Sequence, residues 1–167
     1  MNLKEVMEMV EAVGRDFTEP DEDWEPCCLA EVKDGSLVCL QLMLDDNMKK
    51  VIVPVLAQAF QKLGGIKQAF LIISQWALCI DTQNNPNAEA QLRAAACFGV
   101  KNDPERVEVL ALEHFDGQTT EVWDAKIQRF DELPPRLGPW KRRNWTEVVG
   151  HMANVLQRAF ELAKEQK

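Results

Sequence analysis

Residues 69–80 read AFLIISQWALCI, and this stretch decides the fold of the chain. An almost continuous apolar run of this length is typical of a strand that is buried on both faces, so we predict a central strand here. Ser74, Gln75 and Trp76 place polar groups inside that run. Because a buried polar group needs hydrogen-bond partners, these three residues predict either a small pocket or a subunit contact, unless neighbouring groups of the chain satisfy them.

A hairpin precedes the central strand in the chain. Its two arms are the apolar runs Cys27–Val32 and Leu37–Met43, and Asp34 and Gly35 lie between them. Asp-Gly between β-prone runs favours a tight turn, because such a turn requires residues at positive φ. The run Leu37–Met43 is apolar at successive positions, so we expect both faces of that strand to be covered.

A second hairpin with the same turn chemistry follows the central strand. Its arms, Arg106–Phe115 and Gln118–Phe130, flank Asp116 and Gly117. Apolar and polar residues alternate from residue 123 to residue 128, which is typical of an antiparallel strand with one solvated face. The two hairpins and the central strand predict five strands.

Three helices are predicted from apolar spacing and end signals, at residues 2–16, 45–63 and 144–163. The first carries an apolar stripe with spacings of three and four residues. The second begins at one of the capping candidates at residues 45–47 and ends before Gly64. We favour a kinked helix that runs through Pro54 over a helix that begins there. The third helix begins with a capping box of Asn144 and Glu147.

The order α-β-β-α-β-β-β-α predicts an α+β fold, with a mostly antiparallel five-stranded sheet and three helices on at least one face. No linker or internal repeat is recognisable, so we expect residues 1–167 to form a single domain. Residues 81–105 are polar and alanine-rich, and they are too long for a plain connection. We expect a long loop or insertion there, with a short helix near Glu89–Ala96.

The composition is that of an ordinary globular domain with unevenly distributed charge. The 167 residues are 46% hydrophobic and carry a net charge of −8, which excludes a disordered chain and a general nucleic-acid binder. Residues 1–47 hold three basic and thirteen acidic side chains, whereas residues 136–167 have a net charge of +4. The apolar stretches are too short for a membrane span, and no signal peptide is recognisable. The five cysteines include no C-x-x-C spacing, so we expect reduced thiols in a cytoplasmic protein.

Two charged segments that contain tryptophan are the candidate partner-binding sites. Their residues are Trp24 with Asp21 and Asp23, and Trp140 with Arg142 and Arg143. In the first segment, carboxylates around an exposed tryptophan would attract a basic partner, although a solvated acidic loop needs no partner. The second segment alternates basic and aromatic residues, but without an RNA-binding signature we do not expect nucleic acid to bind it. Its arginines would otherwise pair with the acidic N-terminal third, while its tryptophans anchor the loop to the core.

No catalytic, cofactor-binding or metal-binding set is recognisable in the sequence. His114 and His151 lack a nucleophile or a carboxylate at the spacing of a triad, so we interpret each as a structural or surface histidine. The acidic segment lacks the alternating ligands and central glycine of a calcium loop. Phosphate-binding glycine patterns are absent, and Ser74 has no nucleophile elbow. The sequence therefore predicts no cofactor and favours a protein that is not an enzyme.

Four segments taken together resemble an uncharacterised family of bacterial and phage α+β proteins. They are EPCCLAEVKDGSLVCLQL, the long helix that ends at LGG, IKQAFLIISQWAL and NDPERVEVLALEHFDG, within about residues 25–130. That family has a similar hairpin, a helix, a strand of the form AFVSEAW, and a loop with proline and aspartate before an R-x-E-V-L-type strand. Gln75 stands where that pattern has Glu. The resemblance implies the same fold order and no established activity.

These observations favour an interaction protein, encoded by a phage or mobile element, that acts through a protein partner or as a homodimer. A dimer would pair the acidic N-terminal region with the basic segment of a second copy, although one chain can equally pair both internally. The alternative is a small-molecule-binding domain or minor enzyme with a pocket under residues 81–105, because long loops on rigid scaffolds often bind ligands.

Overall fold

A computed structural model describes residues 1–79, 83–98, 100, 103–143, 148–149 and 154–166. Its elements are α1 (Leu3–Arg15), β1 (Cys27–Val32), β2 (Leu37–Gln41), α2 (Asp46–Lys62), β3 (Ile66–Cys79), α3 (Ala88–Phe98), β4 (Val107–Phe115), β5 (Thr120–Gln128), β6 (Arg136–Leu137), β7 (Lys141–Arg143), β8 (Val148–Val149) and α4 (Val155–Glu165). The α+β class and the antiparallel sheet are confirmed. The predicted counts are wrong in detail, because the described residues form four helices and add three short strands to the predicted five. None of these described helices is long and apolar enough to cross a membrane.

The central strand of the sheet is β3, as predicted. The strands pair in the order β2-β1-β3-β4-β5-β6, and each of these pairs is antiparallel. β7 also pairs with β5, and β8 pairs with the end of β3. Within the part of the chain that the structure describes, β2 therefore forms one border of the sheet, and β6 with β7 forms the other.

Helices lie on both faces of the sheet. On one face, which we call the α2/α4 face, α2 and α4 pack against each other and against the strands. The core of this face includes Leu56, Phe60, Leu71, Phe115 and Leu156. On the opposite face, the α1 face, α1 packs against a core that includes Val6, Val10, Phe70, Ile72 and Leu112.

The helix ends follow from local hydrogen bonds. Asn2 and Glu5 form a reciprocal capping box at the start of α1. Of the three candidate caps of α2, Asp45 is the one used, because its carboxylate accepts a hydrogen bond from the Met48 N–H at 2.7 Å. α2 continues through Pro54, as predicted, and ends before two glycines at positive φ.

Both Asp-Gly pairs form the predicted turns. Gly35 and Gly117 have φ angles of 87° and 96°, a region that L side chains rarely adopt. In the second turn, the Asp116 carboxylate accepts hydrogen bonds from the Thr119 N–H at 2.7 Å and the Gln118 N–H at 2.9 Å. These bonds hold the pKa of Asp116 below its ordinary value.

Residues 81–105 are not a plain loop, because they contain α3. This helix spans Ala88–Phe98, close to the short helix expected near Glu89–Ala96. Its buried residues Ala88 and Ala95 pack against Leu78 of the central strand. The contact places α3 beside the end of β3.

The last helix is shorter than predicted. The predicted capping box of Asn144 and Glu147 lies outside the described residues. Val148–Val149 form β8 rather than helix, and α4 begins only at Val155, after Asn154 at a left-handed φ of 61°. The predicted helix is therefore wrong at residues 148–149, which pair with the end of the central strand as β8 instead.

Candidate functional site

The border of the sheet formed by β2 presents unpaired backbone groups. Among the described strands, β2 pairs with β1 alone. The Leu42 N–H donates to the Pro26 carbonyl at 2.9 Å. Leu42 and Pro26 are therefore a hydrogen-bonded pair at the end of the β1–β2 ladder. Because hydrogen-bonded pairs alternate along an antiparallel ladder, the N–H and C=O groups of residues 38 and 40 bond to β1. Those of Leu37, Cys39 and Gln41 consequently point outward.

The side chains of the same three residues are uncovered, which corrects the expectation that this run is covered on both faces. Leu37, Cys39 and Gln41 are exposed on the α1 face, and Leu37 keeps 49% of its accessible surface. Met43, just after the strand, is 81% exposed. The other face of β2 is covered, since Leu40 packs against the core under α2. The core under α1 reaches β1 and stops there.

α1 carries an exposed apolar flank on the side away from the β6 and β7 border. Trp140 Nε1 donates to Glu11 Oε1 at 2.9 Å, so the Glu11 flank of α1 faces the border formed by β6 and β7. Met9 and Val13 each lie about 160° around the helix from Glu11. Both are exposed. The flank that carries them therefore faces away from the border formed by β6 and β7.

The opposite border of the sheet is protected against pairing with another chain. β6 and β7 have two and three residues, and every residue of β7 is basic. Pro134, Pro135 and Pro139 flank these strands. Short strands, prolines and cationic side chains are the devices by which natural sheets avoid edge-to-edge pairing. β2, with the sequence LVCLQ, has five residues and no proline or charged residue.

Two cysteines lie close together near the middle of the β2 edge. Cys39 is exposed and lies diagonally across the β1–β2 ladder from Cys27, which is half-buried. Burial raises the pKa of the Cys27 thiol to about 12. Cys39 is therefore the accessible thiol of the two and reports on whether the edge is covered.

Trp24 is buried, so the expectation of an exposed tryptophan in the acidic segment is wrong. Its side chain is 4% exposed, and its Nε1 donates to the Val10 carbonyl of α1 at 2.9 Å. Asp23 accepts a hydrogen bond from the Arg129 guanidinium at 2.9 Å, and Asp21 is exposed. Trp24 therefore anchors the acidic segment to α1, and Asp23 pairs with Arg129 just after β5, while both aspartates stay exposed.

Arg142 and Arg143 pair with acidic residues of β5 rather than with the N-terminal third. Arg143 Nε donates to Oδ2 of the buried Asp124 at 2.7 Å. Arg142 Nε lies 3.6 Å from Oε2 of Glu121. Trp140 is anchored to α1, as described above, and the second tryptophan of this segment lies outside the described residues. The segment is thus tied to its own chain.

Ser74, Gln75 and Trp76 lie toward the end of β3, and the fold brings one of them to the acidic segment. Ser74 Oγ donates to Asp23 Oδ2 at 3.2 Å. Trp76 is 44% exposed, and the Arg106 guanidinium lies 4.7 Å from its ring centroid. Gln75 is half-buried. Local partners therefore account for the serine and the tryptophan, and a pocket at these residues stays a prediction.

His114 makes structural contacts on the α1 face. Its Nε2 lies 3.0 Å from Gln68 Oε1, and its Nδ1 lies 3.2 Å from Glu121 Oε1. The ring also stacks on Phe70 with a centroid distance of 4.4 Å. These contacts agree with a structural histidine, whereas His151 lies outside the described residues.

Sequence reasoning did not single out Leu37 and Cys39 as site residues. The signal that could have found them is the contrast between the uncharged run at 37–41 and the prolines and basic residues at 134–143. Comparisons with protein-family models, with curated proteins and with solved structures found no match to this chain. The free edge of β2 lacks the prolines and charged side chains that protect the opposite border of the described sheet.

Proposed function

We propose that this protein is a non-enzymatic interaction module that forms a homodimer, in which the β2 edges of two copies pair antiparallel. One observation carries the proposal: one border of the sheet is short, basic and flanked by prolines, whereas β2 is uncharged and open. An unprotected edge on a monomer is a template for uncontrolled pairing. Pairing with a second copy satisfies the edge, and twofold symmetry closes the assembly at two chains.

The register of the dimer follows from the strand itself. The outward-pointing residues Leu37, Cys39 and Gln41 are symmetric about Cys39, so a twofold axis there sets Cys39 opposite Cys39 of the second copy. Leu37 then lies opposite Gln41, and the three pairs exchange about six backbone hydrogen bonds. Each such bond contributes roughly 0.5–1.5 kcal/mol. Covering Leu37 and Met43 in both copies adds apolar burial.

A proline in place of Cys39 tests the backbone pairing. The Cys39 N–H points away from β1, so Cys39→Pro removes a donor at the open edge and leaves the β1–β2 ladder intact. Cys39→Ser is the matched control, because it keeps the N–H and the approximate size of the side chain. In sedimentation over a concentration series, we expect the wild type and Cys39→Ser to be dimers and Cys39→Pro to be a monomer. Circular dichroism confirms that each variant is folded.

Alkylation of the native protein provides a second measurement that needs no variant. Cys39 and Cys97 are both exposed, and Cys97 lies on α3, away from the β2 edge. As the protein concentration rises, alkylation of Cys39 should slow while that of Cys97 stays constant. A wild-type protein that remains monomeric, or a Cys39→Pro variant that still dimerises, would overturn the proposed dimer.

A further inference from the structure

A cavity of about 370 Å³ opens between the C-terminal ends of α2 and α4. Its floor is apolar, with the buried residues Phe60, Ile66 and Ala163, and Phe160 forms part of its wall. The volume falls in the range of small-molecule sites, which is about 300–1,000 Å³.

Two lysines stand at the mouth of this cavity, and none of the described residues that line it is acidic. Lys33 lies against Gly65, where a side chain would come within 3.0 Å of the Lys33 Cε. Lys164 places its Nζ 4.2 Å from the ring centroid of Phe160. Among the described residues, no carboxylate forms a salt bridge with either lysine. In a chain of net charge −8, this is a local surplus of positive charge.

The backbone around the cavity restricts which kind of anion can bind there. The Gly64 N–H donates to the Gln61 carbonyl and the Gly65 N–H donates to the Phe60 carbonyl, each at 2.9 Å. These amides are therefore not available to cradle a phosphate. The helix ends at the cavity are C-terminal, and their carbonyls repel a multiply charged anion. A ligand that has one negative charge and an apolar part therefore fits this lining better than a phosphate does.

We infer that the cavity between α2 and α4 binds a small amphipathic carboxylate, with its apolar part on the floor and its carboxylate between Lys33 and Lys164. The apolar lining supplies the affinity through burial of the alkyl or aryl part. The two ammonium groups select for the negative charge at the mouth. This site does not involve the β2 edge, so it does not depend on the proposed dimer.

The two lysines also have a purely structural explanation, because cations near helix C-termini stabilise helices. The two explanations differ in what the lysines do to a ligand. A structural role lowers stability when the lysines are removed, and it leaves ligand selectivity unchanged. A binding role makes the affinity for a carboxylate depend on them, and it leaves the affinity for a neutral ligand unchanged.

Octanoate and 1-octanol are the probes, since they share the alkyl chain and differ in charge. Binding is measured by calorimetry, and the site is located by amide chemical-shift changes, which we expect at Gly64, Gly65 and Ala163. The double variant Lys33→Gln with Lys164→Gln should bind octanoate about tenfold more weakly, as expected for two solvent-accessible ion pairs. Its affinity for 1-octanol should be unchanged. The matched control is Lys49→Gln with Lys50→Gln, which removes the same charge from α2 away from the cavity.

Ala163→Leu is the complementary variant, because it fills the floor and should weaken both probes. Both lysines are exposed, so their replacement tests the site even where Ala163→Leu does not fold. The inference is overturned by any of three results: no binding of octanoate, shift changes confined to other regions, or equal losses of octanoate affinity in the test and control pairs.

Discussion

A change of pH from about 5 to about 8 tests how Glu113 joins α4 to the sheet. Glu113 is buried on the α2/α4 face of β4. Its carboxylate accepts hydrogen bonds from the N–H groups of Leu156 at 2.7 Å and Val155 at 3.2 Å, in the first turn of α4. Burial raises the pKa of this carboxyl to about 7, although both hydrogen bonds and Arg158 act in the opposite direction.

The sign of the pH dependence follows from that shift. Because the pKa of Glu113 is about 7 in the folded state against an ordinary 4.5, the folded state binds the proton more tightly than the unfolded state. The stability contributed by the protonated carboxyl is fully present below pH 4.5 and is lost as the pH rises through 7. At about 1.4 kcal/mol per pKa unit, the loss in unfolding free energy is about 3 kcal/mol.

Urea unfolding followed by tryptophan fluorescence measures this loss. Glu113→Gln keeps an acceptor for the α4 amides and removes the titration. Because part of the loss already occurs below pH 5, the wild type should lose roughly 2–3 kcal/mol relative to this variant between about pH 5 and about pH 8. Glu165→Gln, at the exposed end of α4, is the control and should follow the wild type. If the unfolding free energies of the wild type and Glu113→Gln changed equally with pH, the raised pKa of Glu113 would be refuted.

Two further substitutions test the turn and the buried ion pair. A Cβ at Gly117 would lie 2.8 Å from the Lys67 carbonyl, whereas one at Gly35 meets nothing within 4 Å. In thermal unfolding, Gly35→Ala should lower the unfolding free energy by about 1 kcal/mol, because of its positive φ alone. Gly117→Ala should lower it by at least about 2 kcal/mol, because its Cβ also meets the Lys67 carbonyl. Equal losses in the two variants would contradict this close approach. Asp124→Asn removes the carboxylate that lies 2.7 Å from Arg143 Nε. Urea unfolding of this variant should show that the unfolding free energy falls by about 3 kcal/mol, because Arg143 loses its buried partner. A decrease below about 1 kcal/mol would mean that the pair contributes no more than an exposed ion pair.

Local chemistry explains which parts of the fold are predictable from the sequence. The Asp-Gly turns at Gly35 and Gly117 and the cap of α2 at Asp45 depend on residues within three positions of each other. The central strand is predictable as well, because its apolar run leaves no solvated face. These features need no information about distant parts of the chain.

Features that depend on long-range contacts were not predictable in the same way. Trp24 lies among carboxylates, yet it is buried because its Nε1 finds the carbonyl of Val10, fourteen residues earlier. Val148–Val149 form a strand because two residues at the end of β3 pair with them. Leu37 is uncovered because α1 reaches β1 and not β2, a matter of how a helix lies on a sheet.

The placement of charge explains why the open edge, and not the charged segments, is the expected partner site. The acidic side chains in or near the charged segments already accept hydrogen bonds within the chain. Arg129 donates to Asp23, Trp140 donates to Glu11, and Arg143 donates to Asp124. Side chains that already have partners in their own chain gain little from a second one. Unpaired backbone groups at a sheet edge gain a net of roughly 0.5–1.5 kcal/mol for each hydrogen bond that they form with another strand. Association should therefore respond to Cys39→Pro, which changes no charge, and should be nearly independent of salt. A dimer that dissociates as the salt concentration rises would place the interface in the charged segments instead.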